Sequence, residues 1–472
     1  MVKEKEEINM KTPIADFVKE YAKKKGCRFH MPGHKGRAFL GCEPLDITEI
    51  VGADALYEAE GIIAESENNA TKIFGTKHTF FSTEGSSQCI RAMMQLAVGY
   101  QKENEKEQLD RPYVIAARNA HKAFLYAAAL VDFDVVWLYP EEMNSLCSCK
   151  ILPEELETEL KKQVQLHQGV TPAAVYVTSP DYLGGQLDIL SLSKICHKYH
   201  TIFCVDNAHG AYLHFLEIPM HPIDLGADLC CDSAHKTLPV LTGGAYLQIH
   251  KNAPAFFEKN AKQALALFGS TSPSYLTMAS LDLCNAYLDC NYREKLADTI
   301  QCVNRVRKKL KQIGWKVEKT EPLKLTIETE GKVDGRELAG KLREEKVECE
   351  YADADYLVFM VSTENEKEDY AHLLTMLEQI YKMYDISGII PKQWKEQLKP
   401  VRCEQKCSIR EAIFSKHKKM KVEDTLGYIC AAPTVGCPPA IPVVVSGEEI
   451  NIEAIRLFQY YGIKEIEIVS EK

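Results

Sequence analysis

Thr201-Ile202-Phe203-Cys204-Val205-Asp206-Asn207-Ala208-His209 and, further on, Asp228-Leu229-Cys230-Cys231-Asp232-Ser233-Ala234-His235-Lys236-Thr237 are built alike. In each, a short apolar run stops at a cluster of polar side chains, which is how a buried strand meets the loop at its carboxyl end. Counting Ile202–Val205 and Asp228–Cys231, strand-like runs recur at Tyr113–Ala116, Asp134–Leu138, Ala174–Thr178 and Ala245–Ile249. Helix-length periodic segments separate them. In one, Ile90, Met93, Met94, Ala97 and Val98 fall at i, i+3, i+4, i+7 and i+8, a stripe that packs one helix face on a sheet. Such alternation predicts crossover units on a mostly parallel sheet, hence an α/β fold.

The rest of the chain fits that frame. Its 472 residues are 46% hydrophobic and 26% charged, which excludes disordered, collagen-like and coiled-coil classes and allows two or three domains. A formal net charge of −10 offers no field for polyanions, so no nucleic-acid partner is expected. The N-terminal residues carry mixed charge without a signal-like apolar core, which points to the cytoplasm. The long charge-free stretch Thr425–Gly447 contains Pro433, Pro438, Pro439 and Pro442, so it reads as loop and strand and not as a membrane span. Seventeen cysteines without a CxxC pair read as reduced, buried thiols, and no metal site is expected.

Beyond a long helix expected over Met278–Ile313 the pattern shrinks. Strands at Leu323–Glu328, Val347–Tyr351 and Tyr356–Val361 alternate with helices at Gly335–Glu344 and Tyr370–Tyr384. The charged stretch Lys392–Lys406 leads to a last helix–strand pair within Ile452–Val469. The expected division is 1–300, 301–390 and 391–472.

Dinucleotide, P-loop, zincin and serine-hydrolase motifs are absent. Polar groups stand instead at the ends of strands: Gly85-Ser86-Ser87 opening a helix, His121, Asp206 to His209, and Ser233 to Lys236. In open α/β sheets ligands bind beyond the carboxyl ends of strands. Gly85, Ser86 and Ser87 at a helix N-terminus suit a phosphate, although serine there is also an ordinary N-cap. Asp206, ending an apolar run, needs a cationic or donor partner. Lys236, among Ala234, Leu238 and Pro239, is placed for a lowered pKa, although a lysine without context is a solvated side chain. Together a phosphate cradle, a carboxylate for a protonated pyridine and an imine-forming amine are the attachments of pyridoxal 5′-phosphate. His121 is positioned to stack on such a ring or to bond backbone carbonyls.

Longer motifs sharpen this. Phe29-His30-Met31-Pro32-Gly33-His34-Lys35-Gly36, the run from Asp46 to Ile50, Arg118-Asn119-Ala120-His121-Lys122, Asp206 to Gly210, Ser233 to Thr237 and Ser270-Thr271-Ser272-Pro273-Ser274-Tyr275 occur in that order. With them the chain resembles the ornithine/lysine/arginine decarboxylases of the aspartate-aminotransferase superfamily, in their short bacterial form. The resemblance implies a fold type I large domain with smaller α/β C-terminal parts, and decarboxylation of arginine, lysine or ornithine with pyridoxal 5′-phosphate. It makes Lys236 the Schiff-base lysine, Asp206 the partner of the pyridine nitrogen and His121 the stacking residue. Gly85, Ser86, Ser87, Ser233 and His235 would surround the phosphate, and Ala208 and His209 would line the ring. Thr271 and Ser272 would reach the phosphate of a neighbouring subunit, implying a homodimer or higher homo-oligomer.

The chain also departs from that pattern. Glu84 replaces the asparagine usual before the phosphate turn, Ala432 stands where an acid is expected, and PYPPGIP becomes Gly436-Cys437-Pro438-Pro439-Ala440-Ile441-Pro442. The same constellation also serves transaminases and lyases, and a paralogue without turnover would retain it, so the substrate stays open here.

Overall fold

The computed structural model describes residues 10–24, 26–104, 109–140, 145–329, 333–383, 401–433 and 439–470. The chain runs through α1 (Pro13–Lys23), α2 (Ile62–Phe74), β1 (His78–Ser82), α3 (Gly85–Asn104), β2 (Tyr113–Ala117), α4 (Lys122–Val131), β3 (Asp134–Leu138), α5 (Pro153–Leu166), β4 (Ala174–Thr178), α6 (Ile189–Lys198) and β5 (Ile202–Asp206). Then come β6 (Leu229–Asp232), α7 (Ala234–Thr237), β7 (Ala245–Ile249), α8 (Ala255–Ala266), α9 (Tyr275–Asp289) and α10 (Tyr292–Ile313). The remainder holds β8 (Lys316–Val317), β9 (Lys324–Glu328), α11 (Gly335–Glu344), β10 (Tyr351–Ala352), β11 (Tyr356–Met360), α12 (Lys367–Met383), α13 (Ile409–Phe414), β12 (His417–Lys421), α14 (Ile452–Tyr460) and β13 (Glu465–Val469).

Seven strands form the large sheet in the order β1-β7-β6-β5-β4-β2-β3. Strands β5 and β6, and β2 and β3, pair in parallel, whereas β7 is antiparallel to both β1 and β6. The mostly parallel sheet expected from the sequence is therefore present. Its strands are short and, in β2, β5, β6 and β7, buried at every residue, as elements covered on both faces must be.

The chain divides into two compact units. The first comprises Met1–Lys106, Ala173–Val175 and Ile189–Leu296. In it the α3 stripe Ile90, Met93, Met94, Ala97 and Val98 is buried, as its spacing predicts. The second comprises Glu107–Pro172, Tyr176–Asp188 and Ala297–Lys472. It contains an antiparallel sheet β10-β11-β9-β8 and the antiparallel pair β12–β13. Leu325, Ile327, Leu338, Leu342, Leu357 and the fully buried Trp315 form the core of its small α/β layer.

Two expectations need correction. The long helix over Met278–Ile313 is two helices, because Cys290 leaves the helical region at φ −80° and ψ −121°. The strand expected over Val347–Tyr351 shortens to Tyr351–Ala352. Lys346 takes φ +63° and the Val347 N–H turns back to the Leu342 carbonyl, so these residues close α11 instead of extending. Strand β1 was not anticipated. Tyr384 and Lys392–Pro400 lie outside the described residues.

Candidate active site

In the first unit, register brings three polar clusters to one sheet edge. Asp206 at the end of β5 pairs with Cys231, Asp232 at the end of β6 with Tyr246, and Ser82 at the end of β1 with Ala245. The loop before β7 stitches these ends together. The Gly85 N–H donates to the Gly243 carbonyl at 2.7 Å and the His235 N–H to the Gly244 carbonyl at 3.2 Å. Gly243 has φ +95°, and a Cβ there would lie 2.7 Å from the Thr83 carbonyl oxygen, so only glycine permits this approach.

The phosphate-type turn is assembled here. Ser86 Oγ accepts a hydrogen bond from Ser233 Oγ at 2.9 Å, at the N-terminus of the twenty-residue helix α3, whose first turn carries no acidic residue. The positive end of the helix dipole and two adjacent hydroxyls make an anion cradle. Ser87 follows in the same turn, its carbonyl accepting from Arg91 Nε. Glu84, just before the turn, is held by a neighbouring loop. Its Oε1 accepts the Ser270 N–H, tying the turn to the loop that presents Thr271 and Ser272, both exposed.

Asp206 is 2% exposed, and its Oδ1 accepts from the Ala208 N–H at 3.2 Å and the Cys231 thiol at 3.5 Å. Burial pushes the Cys231 thiol well above its ordinary pKa, so it stays a neutral donor. On the neighbouring strand, buried Asp232 receives Asn207 Nδ2 at 2.6 Å and Gln248 Nε2 at 2.9 Å, with His221 Nε2 at 3.0 and 3.1 Å from its two oxygens. Burial works against a charged His221, but Asp232 outweighs it and raises the imidazole pKa. His221, Cys230 and Asp232 bring metal-ligand atoms within 4.8 Å of one another. The carboxylate oxygens already serve these donors, so the cluster acts as a hydrogen-bond hub beneath the strand ends. Sequence reasoning missed this hub. The one signal for it was Asp232 standing directly before the Ser233 motif.

Lys236 sits on the short helix α7, and its Nζ lies 2.9 Å from Nε2 of His209. His235 directs Nδ1 to the Gly244 carbonyl at 3.0 Å. Ser86, Ser233, Asp206, Ala208, His209, His235 and Lys236 therefore belong to one unit and one sheet edge. In the second unit His121 caps α4, its Nδ1 accepting the Ala123 N–H at 3.1 Å.

Beside that cap lies the altered C-terminal segment. Arg118 donates to the carbonyls of Pro442 and Val443, and the Lys122 N–H to that of Ala440. Ala440 is buried at φ +57°, a left-handed conformation that favours glycine. Ala432 is half-buried, its carbonyl accepting from the Cys430 thiol. Cys437 lies outside the described residues.

A hydroxyl-lined helix N-terminus, a buried carboxylate and an amine on adjoining strand ends make a donor set that fits pyridoxal 5′-phosphate. Comparison with known proteins points the same way. The family described as Orn/Lys/Arg decarboxylase, major domain, matches residues 12–365. The arginine decarboxylase of Halalkalibacterium halodurans is 29% identical, covering 94% of this chain and 93% of that protein. That of Bacillus subtilis is 27% identical, with 94% and 92% covered. The lysine decarboxylase of Francisella novicida superposes with a TM-score of 0.81 at 17% identity, covering 98% of this chain and 82% of that one, a likeness of fold.

Proposed function

Because the chain belongs to the Orn/Lys/Arg decarboxylase family, we propose that it removes the α-carboxylate of a basic amino acid as CO2, using pyridoxal 5′-phosphate. Arginine is the first substrate to test, since the relatives matched over nearly their whole length include several arginine decarboxylases. The products would be agmatine from arginine, cadaverine from lysine or putrescine from ornithine. The observation that carries the reading is the meeting of the Ser86–Ser233 hydroxyl pair, buried Asp206 and Lys236 at one sheet edge.

When bound, the cofactor supplies an electron sink for the pair left on Cα as CO2 departs. The residues divide the remaining work. Gly85, Ser86, Ser87 and Ser233 would hold the phosphate at the start of α3, and Asp206 would keep a proton on the pyridine nitrogen. Ala208 and His209 would border the ring, Lys236 would hold the cofactor through its amine when substrate is absent, and the family resemblance would give His121 the ring face. Exposed Thr271 and Ser272 reach a second copy of the chain. Exposure of Phe29, Phe39, Leu40 and Val51 supports pairing of copies, because such apolar groups favour an interface over water. Among the described residues no helix is long and apolar enough to cross a membrane.

Incubating the protein and cofactor with arginine, lysine and ornithine, and identifying the amines by mass spectrometry, tests the reaction. CO2 with one of the three amines and no keto acid is expected. A keto acid formed from a co-substrate would make the chain a transaminase, and absence of any turnover would make it a paralogue. Borohydride reduction and peptide mapping should place the cofactor on Lys236.

A further inference from the structure

An amine attacks an aldehyde only when unprotonated, so a lysine ammonium must first give up a proton. Each time Lys236 must bond the cofactor, a proton therefore has to leave its nitrogen. The Nε2 of His209 stands 2.9 Å away. His209 is only 4% exposed, at the turn after β5, so bulk water has little access to the imidazole. Other bases at the strand ends are engaged elsewhere: Asp206 Oδ1 accepts the Ala208 N–H and the Cys231 thiol, and His235 Nδ1 faces the Gly244 carbonyl.

We infer that His209 is the base that takes the proton from the Lys236 ammonium. The Nζ–H bond breaks with its electrons remaining on Nζ, and the hydrogen bonds to the lone pair of Nε2. This yields a neutral amine and an imidazolium with no net change in protons. The reverse transfer protonates the amine when substrate displaces it. His209 then acts on a reacting atom and does more than line the ring. The inference rests on Lys236 being the lysine that bonds the cofactor.

The test follows linkage formation in full-length protein stripped of cofactor, by stopped-flow absorbance after adding pyridoxal 5′-phosphate. Wild type, His209→Asn and His209→Ala are compared, and borohydride mapping locates the bond in each. Pyridoxine 5′-phosphate, which lacks the aldehyde, reports whether the site still holds the ring and phosphate. Both variants should bind that analogue within about threefold of wild type but form the linkage about a hundredfold more slowly at pH 7, the usual worth of a positioned base. Added imidazole should restore part of the rate in His209→Ala. Wild-type linkage rates in both variants overturn the inference, as does a slowing that tracks loss of analogue binding and is not rescued by imidazole. A wild-type linkage on another lysine removes the active-site reading and this inference together.

Discussion

Ser233 donates its hydroxyl hydrogen to the oxygen of Ser86, 2.9 Å away, although 147 residues separate the two in the chain. The pair closes the anion cradle from two strand ends. Ser86→Ala and Ser233→Ala should each weaken cofactor affinity by about fivefold, the worth of one net hydrogen bond of about 1 kcal/mol. Because the hydroxyls bond each other, the double variant should lose less than the product of the single losses. Absorbance titration measures all three. Affinities within twofold of wild type would mean that the phosphate sits elsewhere.

Asp206→Asn keeps the size of the side chain and an oxygen for the Ala208 N–H and Cys231 thiol. A neutral amide does not hold a proton on a pyridine nitrogen, so kcat should fall by about a hundredfold or more while cofactor remains bound. A fall of under about threefold, less than 1 kcal/mol of barrier, would falsify the assigned role.

Glu84 separates charge from contact. Glu84→Gln retains an acceptor for the Ser270 N–H and should leave cofactor affinity within about threefold of wild type. Glu84→Ala frees the loop bearing Thr271 and Ser272 and should cost about fivefold, by loss of that hydrogen bond. Equal affinities in the two variants would show that the tether has no bearing on the cofactor.

What was legible in the sequence followed uninterrupted apolar runs. Strands β3, β4 and β7 have the bounds their apolar runs predict, and Gly335–Glu344 is a helix as its periodicity requires. Asp206 and Lys236 were visible because a charged residue beside a buried run stays there only where something pairs with it. Strand β1 was not, since its edge position and the polar His78, Thr79 and Ser82 interrupt the run. Nor was the Asp232 hub, whose donors Asn207, His221 and Gln248 come from three separate segments and meet only through strand pairing. The Glu84–Ser270 bond was hidden for the same reason, as its partners lie 186 positions apart in the chain.

Ala440 shows how the chain tolerates the loss of a family glycine. A left-handed alanine costs about 1–2 kcal/mol. Its buried methyl returns about 0.8 kcal/mol, and alanine restricts the unfolded chain by about 0.4–1 kcal/mol relative to glycine. The terms nearly cancel, so Ala440→Gly should change stability by less than about 1 kcal/mol. Ala440→Val adds a β-branch to the same φ of +57° and should cost about 2 kcal/mol or more. Denaturant midpoints decide the matter, and a harmless valine would refute the strain.

Helix α1 begins without a side-chain cap from Thr12. Asp282 of α9 takes that place: its Oδ2 accepts the N–H groups of Ile14 and Ala15, and its Oδ1 accepts the Ser66 hydroxyl. Burial nevertheless raises its pKa to about 6, the donors only partly opposing it and Asp16 adding repulsion. The ordinary value is 3.8, so the folded protein holds this proton more tightly than the unfolded chain. The resulting stabilisation is complete below about pH 4 and is lost as pH rises through 6, a change of about 3 kcal/mol. Asp282→Asn cannot titrate, yet its oxygen can accept from the two N–H groups and its amide can donate to Ser66. Relative to wild type, it should therefore gain about 3 kcal/mol in stability between pH 4 and pH 7. Asp282→Ala leaves three buried donors without an acceptor and should be destabilised at every pH. Unfolding midpoints across that range test both variants. A flat difference between Asp282→Asn and wild type would show that the carboxylate titrates normally and that its donors, not its burial, set its charge.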